Sequence, residues 1–133
     1  MITNFFWVGV GGALGSIARY WMGIVVARHL GETFPWGTLF INIIGSFIIA
    51  FFGTLTAPQG PHPVPPEARL FVMVGICGGY TTFSSFSLQT LDLLRGGERL
   101  AALSYILAST LFCILAAAVG YYLGGVANDR ARF

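Results

Sequence analysis

Gly75-Ile76-Cys77-Gly78-Gly79-Tyr80-Thr81-Thr82-Phe83-Ser84-Ser85-Phe86-Ser87 lies inside an otherwise apolar segment, yet it is crowded with glycines and hydroxyls. A continuous helix suits it poorly, because each interior glycine costs about 1 kcal/mol relative to alanine and tolerates non-helical backbone angles. This predicts a helix broken at Gly78-Gly79. Within a membrane, the N–H and C=O groups freed by a break find no water, so the interruption persists only where protein, a cavity or an ion supplies partners. The break is therefore a candidate site.

The rest of the chain puts that segment in a membrane. Of 133 residues, 56% are hydrophobic and only 9% charged, and no lysine is present, a balance foreign to soluble domains. A net charge of +2 without any long basic run argues against nucleic acid as a partner. The first residues lack a positively charged leader region and the apolar stretch after them is long, so no cleaved leader is expected. Cys77 and Cys113 have no metal-ligand spacing and read as ordinary buried thiols.

A hydrocarbon core about 30 Å thick takes about 20 apolar helical residues. Four segments qualify, at about 5–27, 37–57, 70–94 and 100–126, which predicts an all-α integral membrane protein of one domain over 1–133. Prolines in the second connection, Pro58–Ala68, exclude a helix there. Arg95-Gly96-Gly97-Glu98-Arg99 forms a tight charged turn, and Asn128–Phe133 a short polar tail.

Gly9, Gly11, Gly12 and Gly15 imitate a dinucleotide fingerprint, but Leu14 takes its last glycine and no strand or acidic ribose partner is in place. Gly11/Gly15 and Gly120/Gly124 instead have the spacing that lets membrane helices approach closely. Arg19 lies deeper in the first span, where a charge costs about 3 kcal/mol unless it snorkels or finds a partner. Two roles fit it, an interfacial anchor and the electropositive element of an anion vestibule.

Thr38, Asn42 and Ser46 recur at helical spacing and share one face of the second span; Tyr105, Ser109 and Cys113 do the same on the fourth. Asn42 suits either helix–helix hydrogen bonding or ligand contact, since an amide offers two uncharged donors. Phe83 and Phe86 share a face beside Ser84 and Ser85. They fit a packed or lipid-facing pair, and equally an aromatic pair that turns its positive ring edges toward an anion.

Orientation follows the excess of arginine and lysine in cytoplasmic loops. Arg69, Arg130 and Arg132 fall on one side and Arg28, Arg95 and Arg99 on the other, so there is no excess. A chain without bias inserts both ways, which predicts an antiparallel, dual-topology homodimer with a two-fold axis in the membrane plane.

Three stretches together, Gly11-Gly12-Ala13-Leu14-Gly15-Ser16-Ile17-Ala18-Arg19-Tyr20, Gly37-Thr38-Leu39-Phe40-Ile41-Asn42-Ile43-Ile44-Gly45 and Gly78-Gly79-Tyr80-Thr81-Thr82-Phe83-Ser84-Ser85-Phe86-Ser87, resemble the Fluc (CrcB) fluoride channels. The resemblance covers nearly the whole chain. It implies a dual-topology homodimer in the bacterial inner membrane that exports fluoride passively through two pores, with a structural Na+ at the dimer centre. By the same resemblance, the pore asparagine falls on Asn42, the pore phenylalanines on Phe83 and Phe86, the hydroxyls between them on Ser84 and Ser85, and the fourth-span polar track on Tyr105 and Ser109. Where that track continues with a serine, this chain has Cys113, a weaker donor. The sodium ligands are implied to be the backbone carbonyls of Gly78 and Thr81.

Two rival readings of the residues are a proton-coupled efflux transporter and a non-transporting assembly subunit. The first needs an intramembrane carboxylate. Glu32, Glu67, Glu98 and Asp129 all lie in connections or the tail, and Asp92 near the end of the third span. An enzyme is disfavoured, because no nucleophile–base pair, metal cluster or phosphate loop can be recognised.

Overall fold

The computed structural model describes residues 2–131; Arg132, one of the arginines counted above, lies outside them. The order is α1 (Ile2–Leu30), α2 (Trp36–Leu55), α3 (Pro66–Arg69), a π-helical segment π1 (Leu70–Cys77), α4 (Gly78–Tyr80), α5 (Phe83–Arg95) and α6 (Arg99–Arg130). Among the described residues, four stretches are long and apolar enough to cross a membrane: Ile2–Leu30, Trp36–Leu55, Pro66–Arg95 and Arg99–Arg130. The regular structure of the described residues is all-helical, with four candidate spans.

The spans join into two tight pairs, and glycine makes both. A Cβ at Gly11 would sit 2.5 Å from the Phe71 carbonyl oxygen, and one at Gly79 2.5 Å from that of Gly12. The backbones of α1 and of the π1–α4 half-span therefore touch, with Gly75 packed against Gly11. On the other pair, a Cβ at Gly120 would lie 2.5 Å from the Phe47 carbonyl and one at Gly124 2.9 Å from that of Phe51, which brings α6 onto α2. The close-packing role predicted for both glycine pairs is what the helices display.

The ends of the elements depart from the expected boundaries for local reasons. Pro66 begins a helical turn despite the proline run before it, because a proline at the first helical position gives up an N–H that has no intrahelical partner anyway. Asn128–Arg130, predicted as tail, continue α6. Asn128 donates through Nδ2 to the Thr54 carbonyl at 2.9 Å, while Arg69 donates through Nη1 to the carbonyls of Gly53 (3.1 Å) and Thr56 (2.7 Å). These donors answer the open carbonyls at the C-terminus of α2, where a cation also complements the helix dipole. At the opposite end of the bundle, α5 closes on Gly97 at φ +82°, with Glu98 N–H bonded to the Leu93 carbonyl at 2.9 Å and Gly97 N–H to that of Leu94 at 3.1 Å. That is a left-handed glycine cap, and it sets the turn into α6. Beneath it lies the best-buried core, Leu39, Leu93, Ala102 and Tyr105, flanked by Phe34, Ile43 and Phe86.

Candidate functional site

The third span does not open at Gly78-Gly79. Both glycines are helical, with Gly78 at φ −65° and ψ −37°, and the chain becomes extended at Thr81 (φ −82°, ψ 158°) and Thr82 (φ −155°, ψ 114°). Gly79 is there because Gly12 leaves no room for a side chain, not because the backbone must unwind. The two threonines close the ends of the two half-helices. Thr81 sends both its N–H and its Oγ1 to the Cys77 carbonyl, each at 2.9 Å, and so closes the first half. Thr82 caps the second half, its Oγ1 accepting from Ser85 N–H at 3.2 Å.

Asn42 holds the extended pair from the neighbouring span. Its Nδ2 donates to the Thr82 carbonyl at 3.1 Å, and its Oδ1 accepts from Thr82 N–H at 2.8 Å. One amide thereby replaces both ladder bonds of one residue. Gly45, a turn further along α2, permits the approach, since a Cβ there would collide with the Thr81 methyl.

Thr82 borders two cavities. The deeper one, about 400 Å³, is bordered by Asn42 and Ser46 of α2, Thr81, Thr82, Phe83 and Phe86 of the third span, and Ser109 and Cys113 of α6. Two of the three residues of each polar stripe thus face one space, while Thr38 borders the other cavity and Tyr105 neither. The Ser109 hydroxyl is buried without a protein partner, the residue being 7% exposed. An unmet hydroxyl of this kind costs about 1–3 kcal/mol unless something in the cavity binds it. The larger cavity, about 640 Å³, lies at the end of the bundle where α1 gives way to α2, and Arg19, Glu32, Asp92 and Ser85 border it.

The candidate residues divide accordingly. Asn42, Phe83, Phe86 and Ser109 come together on the deeper cavity, as do Gly78 and Thr81. Arg19 and Ser85 border the outer one. Tyr105 and Ser84 are outside both linings. Tyr105 is fully buried and its hydroxyl donates a hydrogen bond to Gln89 Oε1 at 2.9 Å, while Ser84 Oγ lies 3.2 Å from Thr82 Oγ1 on the exposed side. Phe83 is 78% exposed, 5.3 Å from Phe86 ring to ring. Sequence reasoning missed Thr82 and Gln89. Thr82 could have been found as a threonine just before a helical run, the residue type favoured at a helix N-cap. Gln89 shows only as an uncharged amide within a span.

A four-span helical bundle whose third span turns extended beside a cavity bordered by uncharged side chains is the framework of a small polytopic membrane protein. The chain belongs to the CrcB-like protein family, described as Camphor Resistance (CrcB), which it matches over residues 6–121. It is 50% identical over 126 residues to the "Fluoride-specific ion channel FluC" of Methylocella silvestris, covering 95% of this chain and 96% of that protein. It is 52% identical over 124 residues to the protein of the same name from Methylobacterium radiotolerans, covering 93% and 86%. The namesake from Gluconobacter oxydans is 55% identical over 125 residues, again covering 93% and 86%.

Proposed function

We propose that this protein is a fluoride channel, not an enzyme, and that fluoride passes from the outer cavity by way of Thr82 into the deeper one. The observation that carries the reading is the buried Ser109 hydroxyl, unpartnered among the described residues, on a cavity that no charged side chain among them borders. Fluoride is small and strongly hydrated, so a path for it must replace water with close donors yet lack a fixed positive charge that would trap it. The free N–H of Asn42 beyond its bond to Thr82, the hydroxyls of Ser46 and Ser109 and the ring edges of Phe83 and Phe86 have that character. Arg19 acts as the vestibule cation, drawing anions into the outer cavity that it borders. Ser84 and Ser85 tune the cap at Thr82, to which both are hydrogen-bonded. Tyr105 serves the path by its packing on Phe86, 5.1 Å between rings. The names of the relatives support the same substrate.

The working unit is an antiparallel homodimer with two pores, in the bacterial inner membrane. Extended backbone at Thr81 and Thr82 beside an exposed Gly78 would make a poor face for lipid, and a second copy would cover it. The even arginine count supports insertion both ways. A structural Na+ fits the end of α4, where the last helical carbonyls lack intrahelical partners and nothing lies within 4 Å of where a Gly78 side chain would project. The Gly78 and Thr81 carbonyls would hold it, hard oxygen donors suited to an alkali cation, and it would supply positive charge that ties the two copies together.

Purified protein in liposomes loaded with fluoride, followed with a fluoride electrode, tests the reading. Fluoride is expected to leave rapidly while chloride, measured in parallel, stays. No fluoride release, or equal release of both halides, overturns it.

A further inference from the structure

Phe34 lies in the connection between α1 and α2. Its backbone is pinned by a bond from Trp36 N–H to its carbonyl at 2.7 Å, and Pro35 limits the chain just after it. Its ring borders the outer cavity and packs on Trp36 at 4.5 Å. It also meets the ring of Tyr105 edge-on, 5.5 Å away at 80°. Tyr105 in turn lies 5.1 Å from Phe86, and Phe86 5.3 Å from Phe83. A run of aromatic contacts thus leads from a surface connection to the deeper cavity.

Tyr105 is held at two points. Its hydroxyl is tied to Gln89, three residues beyond Phe86 on α5, and its ring is held by Phe34 on one side and Phe86 on the other. Because Tyr105 is fully buried, its ring has no room to turn unless a neighbour withdraws. Phe34 is the neighbour that does not belong to a span. We propose that Phe34 is a positioning residue for the anion path: it fixes the ring of Tyr105 and, through it, the edge that Phe86 presents to the deeper cavity. The inference rests on the fluoride-channel reading.

The test compares Phe34→Leu and Phe34→Met, which keep apolar bulk, with Phe34→Tyr, which keeps the ring. Phe47→Leu serves as control, because Phe47 stacks on Phe51 at 5.8 Å away from Tyr105. Each protein is purified as the assembled species, reconstituted in liposomes and followed for fluoride efflux, with unfolding measured alongside. Loss of the edge contact should lower flux about three- to tenfold in Phe34→Leu or Phe34→Met. Phe34→Tyr should stay within about twofold of wild type, and Phe47→Leu should lose stability without losing flux. Combining Phe34→Leu with Phe86→Ile should cost less than the product of the separate losses, because both act on one ring position. Wild-type flux in whichever of Phe34→Leu and Phe34→Met folds overturns the inference alone, as does an equal loss in Phe47→Leu. A wild-type protein that releases no fluoride overturns the channel reading and this inference together.

Discussion

Asn42 and Thr82, forty positions apart in sequence, make a reciprocal pair: the amide donates to the Thr82 carbonyl at 3.1 Å and accepts from its N–H at 2.8 Å. No hydrophobic residue of similar shape can do both. Asn42→Leu should therefore leave a donor and an acceptor unmet in an apolar setting, at a cost of about 1–3 kcal/mol for each. Asn42→Asp keeps the acceptor but turns a second oxygen toward the Thr82 carbonyl and adds negative charge to the anion path. Both variants should lose fluoride efflux by more than about tenfold, Asp through repulsion of the anion as well. Electrode efflux and unfolding in detergent measure the two effects, and a stable, fully conducting Asn42→Leu would show that the pair is dispensable.

Gly78 and Gly79 are neighbours with opposite surroundings. A Cβ at Gly79 would press on the backbone of Gly12, whereas at Gly78 nothing lies within 4 Å. Gly79→Ala should destabilise the protein by about 1–3 kcal/mol, because backbone on both sides must move. Gly78→Ala should leave the protomer as stable or slightly more so, since Gly78 is already helical. Its effect should instead fall on dimer assembly, where the face around Gly78 would meet the second copy. Unfolding in detergent and the dimer–monomer ratio on size exclusion separate these outcomes; equal destabilisation by both would sink the packing argument.

The glycine pairs were readable in the sequence because close approach of helices depends on spacing along a regular element. Gly11/Gly15 and Gly120/Gly124 need no knowledge of the partner helix to be recognised. The break was misplaced for the converse reason. Where a helix stops depends on what satisfies its end, and the groups that do so here are the hydroxyls of Thr81 and Thr82 and an amide on another span. Asn42, Phe83, Phe86 and Ser109 stood out as polar or aromatic residues at helical spacing, and these do share a cavity. Gln89 and Phe34 gave no such signal, since each acquires its part only through Tyr105.

The arginine balance makes orientation the cheapest property to shift. Arg28, Arg95 and Arg99 on one side face Arg69 and Arg130 on the other, with Arg132 beyond the described residues. Adding several lysines to one side should fix a single orientation. Such a protein, expressed alone, should fail to protect cells from fluoride, and two oppositely biased versions together should restore protection. Full activity from one fixed orientation would exclude the antiparallel dimer.

Phe83 and Phe86 separate an aromatic contribution from a packing one. Phe86 is partly buried between Phe83 and Tyr105, while Phe83 is largely exposed in the protomer, so their packing roles differ. If both serve only as apolar filler, Phe83→Ile should be harmless in the protomer and Phe86→Ile should cost stability. If their ring edges complete the donor shell of the anion, both substitutions should lower fluoride efflux by more than about tenfold, because isoleucine keeps bulk but has no quadrupole. Phe6 and Phe112, both exposed on the outer surface, provide the comparison and should tolerate isoleucine with little change in flux. The measurement is electrode efflux from liposomes with dimer content checked for each variant. Wild-type flux in both Phe83→Ile and Phe86→Ile would assign the pair to packing alone.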